Sequence, residues 1–203
     1  MKSLRLLFVI TVIAATNLSV LSQPIIDDRQ DWGPVSGGLR MAISSVTPGN
    51  PPREGVAFYI AIQNVGAKDV VLNLGIMLAN GSVMWPQAIR LTLTDSQGKT
   101  RELQFEDRRY PAIAGRVDDY IVALRSGSIY VLRVSLDQYW SQEAKKFAST
   151  LADGRHRISA RLEAQGAKAV NLDVQGVALM NFWKGTVQSN SSEFEVAGNT
   201  APK

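Results

Sequence analysis

Residues able to carry acid–base or metal chemistry are scarce in this 203-residue chain. It contains a single histidine, His156, and no cysteine. Zinc sites are built mainly from nitrogen and sulfur ligands, so this composition argues against one. His156 lies in an alternating segment between Arg155 and Arg157. We interpret it as a buried or half-buried histidine that hydrogen-bonds a turn, rather than as a catalytic base.

Carboxylates are the next candidates for chemistry. Asp118 and Asp119 are adjacent, and Asp27, Asp28 and Asp31 cluster near the start of the chain. Calcium takes six to eight oxygen ligands, and neither group has the spacing of a calcium-binding loop. We therefore interpret both groups as solvated turn carboxylates. Carboxylates distant in sequence can still meet as a glycosidase pair, but nothing in the sequence selects one.

Motifs for covalent or nucleotide chemistry are also missing from the sequence. There is no Gly-x-Ser-x-Gly elbow and no glycine-rich phosphate loop of either standard pattern. We therefore predict that the protein is not an enzyme and that it holds no cofactor and no metal. A hydrolase is the least favoured of the readings that stay open.

Aromatic side chains are the best candidates for contacts with a partner. The chain has four tryptophans, Trp32, Trp85, Trp140 and Trp183. Trp85 and Trp140, the latter preceded by Tyr139, fall in or beside irregular segments, where an exposed indole can stack on a sugar or anchor a protein. We name Trp85, Trp140 and Tyr139 as possible partner contacts. The alternative is that the tryptophans cap the ends of the core.

The first residues of the chain have the layout of a secretory signal. Lys2 and Arg5 precede an apolar run over residues 6–15, which is short for a membrane span. We predict a signal peptide over residues 1–22, cleaved at its end. Cleavage after Ala15 and an uncleaved anchor are the alternatives. No later apolar run reaches the roughly 18 residues of a membrane span.

Composition narrows the compartment and the class of partner. A chain that has a signal peptide but contains no cysteine favours a bacterial envelope over a eukaryotic secretory pathway, where disulfides are common. We predict a secreted or periplasmic protein. Loss of Lys2 and Arg5 lowers the formal net charge from +4 to +2. The remaining basic pairs are short and lack interleaved aromatic residues, so no nucleic-acid binding is expected.

The mature chain is long enough for one domain. We predict a polar lead-in over residues 23–36, a single β-domain over residues 37–196 and a flexible tail over residues 197–203. Apolar and polar residues alternate at Leu39, Met41 and Ile43, as in a half-buried strand.

The remaining pattern predicts three hairpins and one helix. The hairpins pair residues 56–62 with 70–74, 89–94 with 101–106, and 120–124 with 129–136. Helical spacing covers residues 138–151. Further strands are predicted at residues 156–162, 182–187 and 192–196. About eight short strands with one short helix predict an antiparallel, immunoglobulin-like β-sandwich.

Three stretches carry a resemblance to a known family. The strand and Asn-x-Gly turn at residues 55–66, the Asp-Gly strand entry at 151–158 and the closing strand at 183–190 resemble immunoglobulin-like domains of exported bacterial proteins. His156 stands where the family pattern has tyrosine, which leaves the tyrosine-corner hydrogen bond without its donor. The resemblance implies a sandwich with no assigned activity, and some similar sandwiches inhibit peptidases with their loops.

Two hypotheses of function follow. In the first, the protein is an exported, non-catalytic binding or accessory module that recognises a protein or glycan through its loops. In the second, it inhibits a peptidase by presenting a loop, Thr47 to Glu54 or Gly75 to Pro86, to the enzyme's cleft. The sequence does not identify the partner.

Overall fold

The computed structural model describes residues 31–46, 55–78, 81–106, 117–148, 151–166 and 181–196. These residues form twelve strands and one short 3-10 helix, Leu136–Gln138, between the eighth and ninth strands. The strands are β1 Leu39–Ser45, β2 Ala57–Asn64, β3 Val70–Leu78, β4 Val83–Trp85, β5 Ile89–Thr94, β6 Thr100–Phe105, β7 Val117–Leu124, β8 Ile129–Ser135, β9 Tyr139–Ser141, β10 Lys146–Phe147, β11 Gly154–Ala164 and β12 Gly185–Val196.

The strands form two sheets. The larger has the order β10-β9-β6-β5-β11-β12-β1-β2-β8 and curls into a half-barrel, and the smaller has the order β4-β3-β7. Neighbouring strands are antiparallel except β1 and β12, which are parallel. The predicted all-β, mostly antiparallel class is therefore confirmed.

One hydrophobic core joins the two sheets. In β5, Ile89, Leu91 and Leu93 alternate with more exposed residues and are fully buried. Leu72 and Leu74 of the smaller sheet belong to the same buried cluster. Complete burial of one such side chain is worth about 1.5–3 kcal/mol. The period-two pattern therefore identifies the inward faces correctly.

Two of the three predicted hairpins are wrong. The strand β2 pairs with β1 and β8, whereas β3 pairs with β4 and β7 in the other sheet. The chain thus crosses between sheets four times, after β2, β4, β6 and β7. Alternation shows which face of a strand is buried, but it does not identify the strand that pairs with it. The remaining predicted hairpin, residues 89–94 with 101–106, is confirmed: it is β5 paired with β6, with Leu91 opposite Leu103.

The predicted helix over residues 138–151 is also wrong. Its described part contains a 3-10 turn followed by the short hairpin of β9 and β10, in which Phe147 lies opposite Trp140. Tyr139 points into the core while the next residue, Trp140, is half-buried. Apolar residues at helical intervals here reflect a tight turn, where Lys145 adopts a left-handed backbone conformation with φ of 49°.

The C-terminal strands differ from the prediction in length. The segments predicted at residues 182–187 and 192–196 belong largely to one continuous strand, β12. It pairs along most of its length with β11, where a bulge lies between Ser159 and Arg161. The polar run in the middle of β12 faces partly outward, which is why it lacks the apolar residues of a strand pattern.

Several predicted segments lie outside the described residues. They are the signal peptide at residues 1–22, most of the lead-in, the candidate inhibitory loop at 47–54 and the tail at 197–203. In the part of the chain that the structure describes, no helix combines the length and apolarity needed to cross a membrane.

Candidate functional site

His156 is a core residue. Its side chain is 1% exposed, and its Nε2 atom donates a 2.8 Å hydrogen bond to the carbonyl oxygen of Ala152 in the turn before β11. The ring stacks on Phe194 at 5.3 Å between centroids. The structure confirms the interpretation of a buried histidine bonded to a turn. Its Nδ1 atom is buried and has no hydrogen-bond partner among the residues that the structure describes.

The tryptophans lie apart and are at least partly buried. Trp183 is buried and donates a 2.9 Å hydrogen bond from its indole nitrogen to the carbonyl oxygen of Gly37. Trp32 is half-buried against the guanidinium of Arg40. Trp140 is half-buried as well. In the residues described here, the tryptophans do not form a single exposed binding face.

An aromatic chain links the two sheets and includes two of the predicted partner contacts. Trp85 of β4 lies 6.5 Å from Phe105 of β6, and Phe105 meets Tyr139 of β9 edge to face at 5.4 Å. Tyr139 is completely buried, and this burial raises the pKa of its hydroxyl. A buried side chain offers no surface to a partner, so Tyr139 is corrected to a core residue. Trp85 is half-buried, with its indole nitrogen shielded from solvent.

A polar cleft lies where the smaller sheet meets the end of β11. It has a volume of about 170 Å³ and takes lining residues from both sheets. We call it the Asp119 cleft; the residues that the argument uses are Asn73, Gly75, Arg90, Asp119, Glu163 and Gly166. Strands β3, β5, β7 and β11 and the segment after β11 therefore converge at this point.

A bulge in β3 shapes the cleft. The pairing of β3 with β7 shifts between Asn73 and Ile76. Gly75 occupies the bulge with φ of 145°, and a Cβ atom here would clash with the carbonyl oxygen of Trp85. The side-chain oxygen of Asn73 accepts a 3.0 Å hydrogen bond from the backbone N–H of Gly75. Asn73 thereby stabilises the bulge of β3 beside the cleft.

The amide of Asn73 also orients a carboxylate. Its Nδ2 atom donates to Oδ1 of Asp119 at 3.0 Å and to the carbonyl oxygen of Gly166 at 3.1 Å. The side chain is 8% exposed, and both of its N–H groups and its oxygen are used inside the protein. Asn73 is therefore a positioning residue, and Asp119 is half-buried in the wall of the cleft.

Two arginines and two glutamates beside the cleft form a balanced network. Arg90 contacts Glu102 at 2.8 Å and Glu163 at 3.3 Å, while Arg161 contacts the same two carboxylates at 3.0 and 3.1 Å. Two cations and two anions thus neutralise one another. Asp119 has no cationic partner within the described part of the chain. Among the described residues that line the cleft, Asp119 is therefore the carboxylate whose charge no neighbouring cation balances.

Sequence reasoning missed most of this site. Asp119 was predicted as a solvated turn carboxylate, but it lies in strand β7. Neither Asn73 nor Glu163 was singled out. The available signal was the Asn73-Leu74-Gly75 triplet, which interrupts an otherwise apolar strand and is typical of a bulge.

Metal binding gains no support from this geometry. No group of three or more His, Cys, Asp or Glu side chains comes together in a metal-binding arrangement among residues that the structure describes. Comparison with known proteins adds no assignment. No family model matches the chain, and no curated protein is significantly similar to it.

Proposed function

We propose that this chain is an exported, non-catalytic binding module that recognises a protein or glycan partner. The Asp119 cleft is the observation that carries the proposal. Its walls combine a positioned carboxylate, a charged network and backbone atoms from both sheets. Polar groups converging on a concave site from a rigid scaffold are typical of recognition sites.

The size of the cleft favours recognition of one group on a larger partner. Pockets for whole small molecules measure about 300–1,000 Å³, and the cleft has about 170 Å³. It has room for a single polar side chain or sugar substituent. The rest of the partner would then lie across the surface around the opening, where Gln87 and Gln165 are exposed.

We also infer that the fold is a distant immunoglobulin-like sandwich. Two sheets enclose one core, and the chain changes sheet after β2 and after β7, as Greek-key connections do. The nine strands of the larger sheet exceed the three to five of an immunoglobulin sheet, and β9 and β10, which extend one edge, supply two of the additional strands.

The peptidase-inhibitor alternative has less support. An inhibitory loop must project from the scaffold, but most of Gly75 to Pro86 belongs to β3 and β4. The other loop, Thr47 to Glu54, lies outside the described residues. The binding-module proposal is therefore the one that rests on described geometry.

A blocked cleft tests the proposal. Gln87 is exposed on the cleft wall, so Gln87→Trp places an indole across the opening, whereas Gln97→Trp makes the same change in the remote β5–β6 turn. Both variants and the unaltered protein are applied to arrays of immobilised glycans and peptides. We expect at least one ligand to be retained by the Gln97 variant and lost by the Gln87 variant. Signals that survive equally in both variants would place recognition elsewhere.

Two further measurements test the remaining parts of the proposal. Purified protein is assayed on peptide and glycoside substrates, where turnover abolished by Asp119→Asn or Glu163→Gln would establish an enzyme instead. Mass spectrometry of the protein from its natural source should find a chain that begins near Gln23. An intact N-terminus in membranes would establish an anchored protein.

A further inference from the structure

We propose that the Asp119 cleft receives the ammonium or guanidinium group of a lysine or arginine side chain on a protein partner. This inference rests on the binding function proposed above and assigns the chemistry of its site. The juxtaposition that carries it is an oriented carboxylate beside a charge network that is already neutral.

Charge favours a ligand with a single positive group. Arg90 and Arg161 each contact both Glu102 and Glu163, so these four side chains leave no net charge beside the cleft. Of the two carboxylates among the described residues that line the cleft, Glu163 is paired with Arg90 and Arg161, and Asp119 is the one without an ionic partner. A group with one positive charge would neutralise the Asp119 carboxylate. Solvent and salt screen a half-buried ion pair less than an exposed one, so the attraction would be stronger here than on an open surface.

Geometry favours a donor at a defined position. Asn73 fixes one oxygen of Asp119 by its 3.0 Å hydrogen bond, and Asn73 is itself anchored to Gly75 and Gly166. The carboxylate is therefore held before any ligand arrives, which lowers the entropy cost of binding. An ammonium or guanidinium group supplies only hydrogen-bond donors, as such a site requires.

The lining favours a protein side chain over a sugar ring. The described residues that line the cleft include no aromatic side chain on which a sugar could stack. Its apolar lining comes from Ile76 and from the small residues Gly75 and Ala88. These can pack along the methylene stem of a lysine or arginine while the charged end reaches Asp119.

Small-molecule probes test the assignment directly on the full chain. N-acetyl-lysinamide and N-acetyl-argininamide are titrated while the backbone amide signals of Gly75 and Gly166 are followed by NMR. N-acetyl-norleucinamide, which lacks the charged group, is the matched probe. We expect saturable shifts at both glycines with the cationic probes and none with norleucinamide. Equal responses to all three would overturn the proposal.

A charge-removing variant gives the second arm. Asp119→Asn removes the charge but keeps an oxygen that can accept the hydrogen bond from Asn73. We expect it to weaken binding of the cationic probes about tenfold. Glu193→Gln, an exposed carboxylate change on β12, is the control and should leave binding unchanged. Unaltered binding by the Asp119 variant would overturn the assignment.

A third variant covers the case in which Asp119→Asn fails to fold. Gln165→Lys places an ammonium group on the exposed rim of the same cleft, where it should compete with the probes and abolish their binding.

A fourth probe, methyl α-D-glucopyranoside, separates the two proposals. Shifts at Gly75 and Gly166 with this sugar alone would overturn the cationic ligand and leave the binding module standing.

Discussion

The side-chain amide of Asn64 donates a 3.0 Å hydrogen bond to the carbonyl oxygen of Leu124, sixty residues away in the chain. Asn64 ends β2 and Leu124 ends β7, so this bond joins two of the four points where the chain crosses between sheets. A second bond from the same amide reaches the carbonyl oxygen of Lys68, and the Asn64 oxygen accepts from the N–H of Gly66. One buried amide thus fixes the crossings after β2 and after β7.

Replacing Asn64 should therefore be costly. We expect Asn64→Ala to lower the free energy of unfolding by about 2–4 kcal/mol, because it leaves buried backbone groups without partners. Urea unfolding followed by tryptophan fluorescence measures the change. Asn181→Ala, an exposed change of the same type, should cost less than about 0.5 kcal/mol. A small effect at both positions would contradict the role of Asn64.

Asp95 should make stability depend on acid pH. Burial raises the pKa of its carboxyl, but hydrogen bonds from the backbone of Lys99 and Gln97 and the charge of Arg101 outweigh burial and hold the pKa below its usual value of 3.8. A group with a lowered pKa in the folded state stabilises the fold above its unfolded pKa, and this contribution is lost as the pH falls through the folded-state pKa.

The variant Asp95→Asn tests that linkage. At pH 7 it should be less stable than the unaltered protein by about 1 kcal/mol, since the 2.7 Å contact with Arg101 loses its charge. The difference should shrink below about pH 4, because the unfolded protein takes up a proton at this carboxyl before the folded protein does. Thermal unfolding from pH 7 to pH 2.5 measures it, with Asp153→Asn as an exposed control. A difference that stays constant over this range would contradict the prediction.

His156 should contribute to stability and not to binding. We expect His156→Ala to cost about 2–4 kcal/mol, because it removes the stacking on Phe194 and the hydrogen bond to Ala152. His156→Phe keeps the stacking and should cost less. Probe binding at the Asp119 cleft is measured in parallel below the unfolding transition. Loss of probe binding by a folded His156→Phe protein would show that the histidine has a further role.

Trp85 and Trp140 should differ in their effect on stability. Trp85→Ala removes the ring that contacts Phe105, and we expect it to lower the free energy of unfolding by about 3 kcal/mol. Trp85→Phe should cost less, because it keeps a ring there and removes a buried N–H that has no partner among the described residues. Trp140 packs with Phe147 on a short edge hairpin, so Trp140→Ala should cost about 1 kcal/mol. Chemical unfolding of the three variants measures these values. Equal costs for the two alanine variants would contradict this ranking.

The fold was predictable where the signal is local. The β5–β6 hairpin follows from the turn at Asp95 to Lys99 and from the matched leucines on either side. The partners of β2 and β7 were not predictable, because the same turn chemistry serves a hairpin and a crossing between sheets. At Asn64 the deciding bond is to Leu124, a contact that no local window contains.

The candidate site was harder to predict than the fold. Asp118 and Asp119 are adjacent in the sequence, which is typical of a solvated pair of carboxylates. The environment of Asp119 instead depends on Asn73, Glu163 and Arg90, which lie far away in the sequence. Only the Asn73 and Gly75 pair leaves a local trace, as a polar break in an apolar strand. For Tyr139 the sequence prediction failed in the other direction: an interior residue was expected to lie on the surface and contact a partner, but it is buried in the core.

The order of strands in the larger sheet has a consequence for synthesis. The strands β1, β2 and β8 form one block, β5, β6, β9 and β10 form another, and the two blocks are joined through β11 and β12. These two joining strands are the last to leave the ribosome. Until they emerge, the earlier blocks lack the pairings that connect them, so the nascent chain cannot complete its native sheet. Such long-range closure is slow, so we expect completion of the larger sheet to limit the rate of folding.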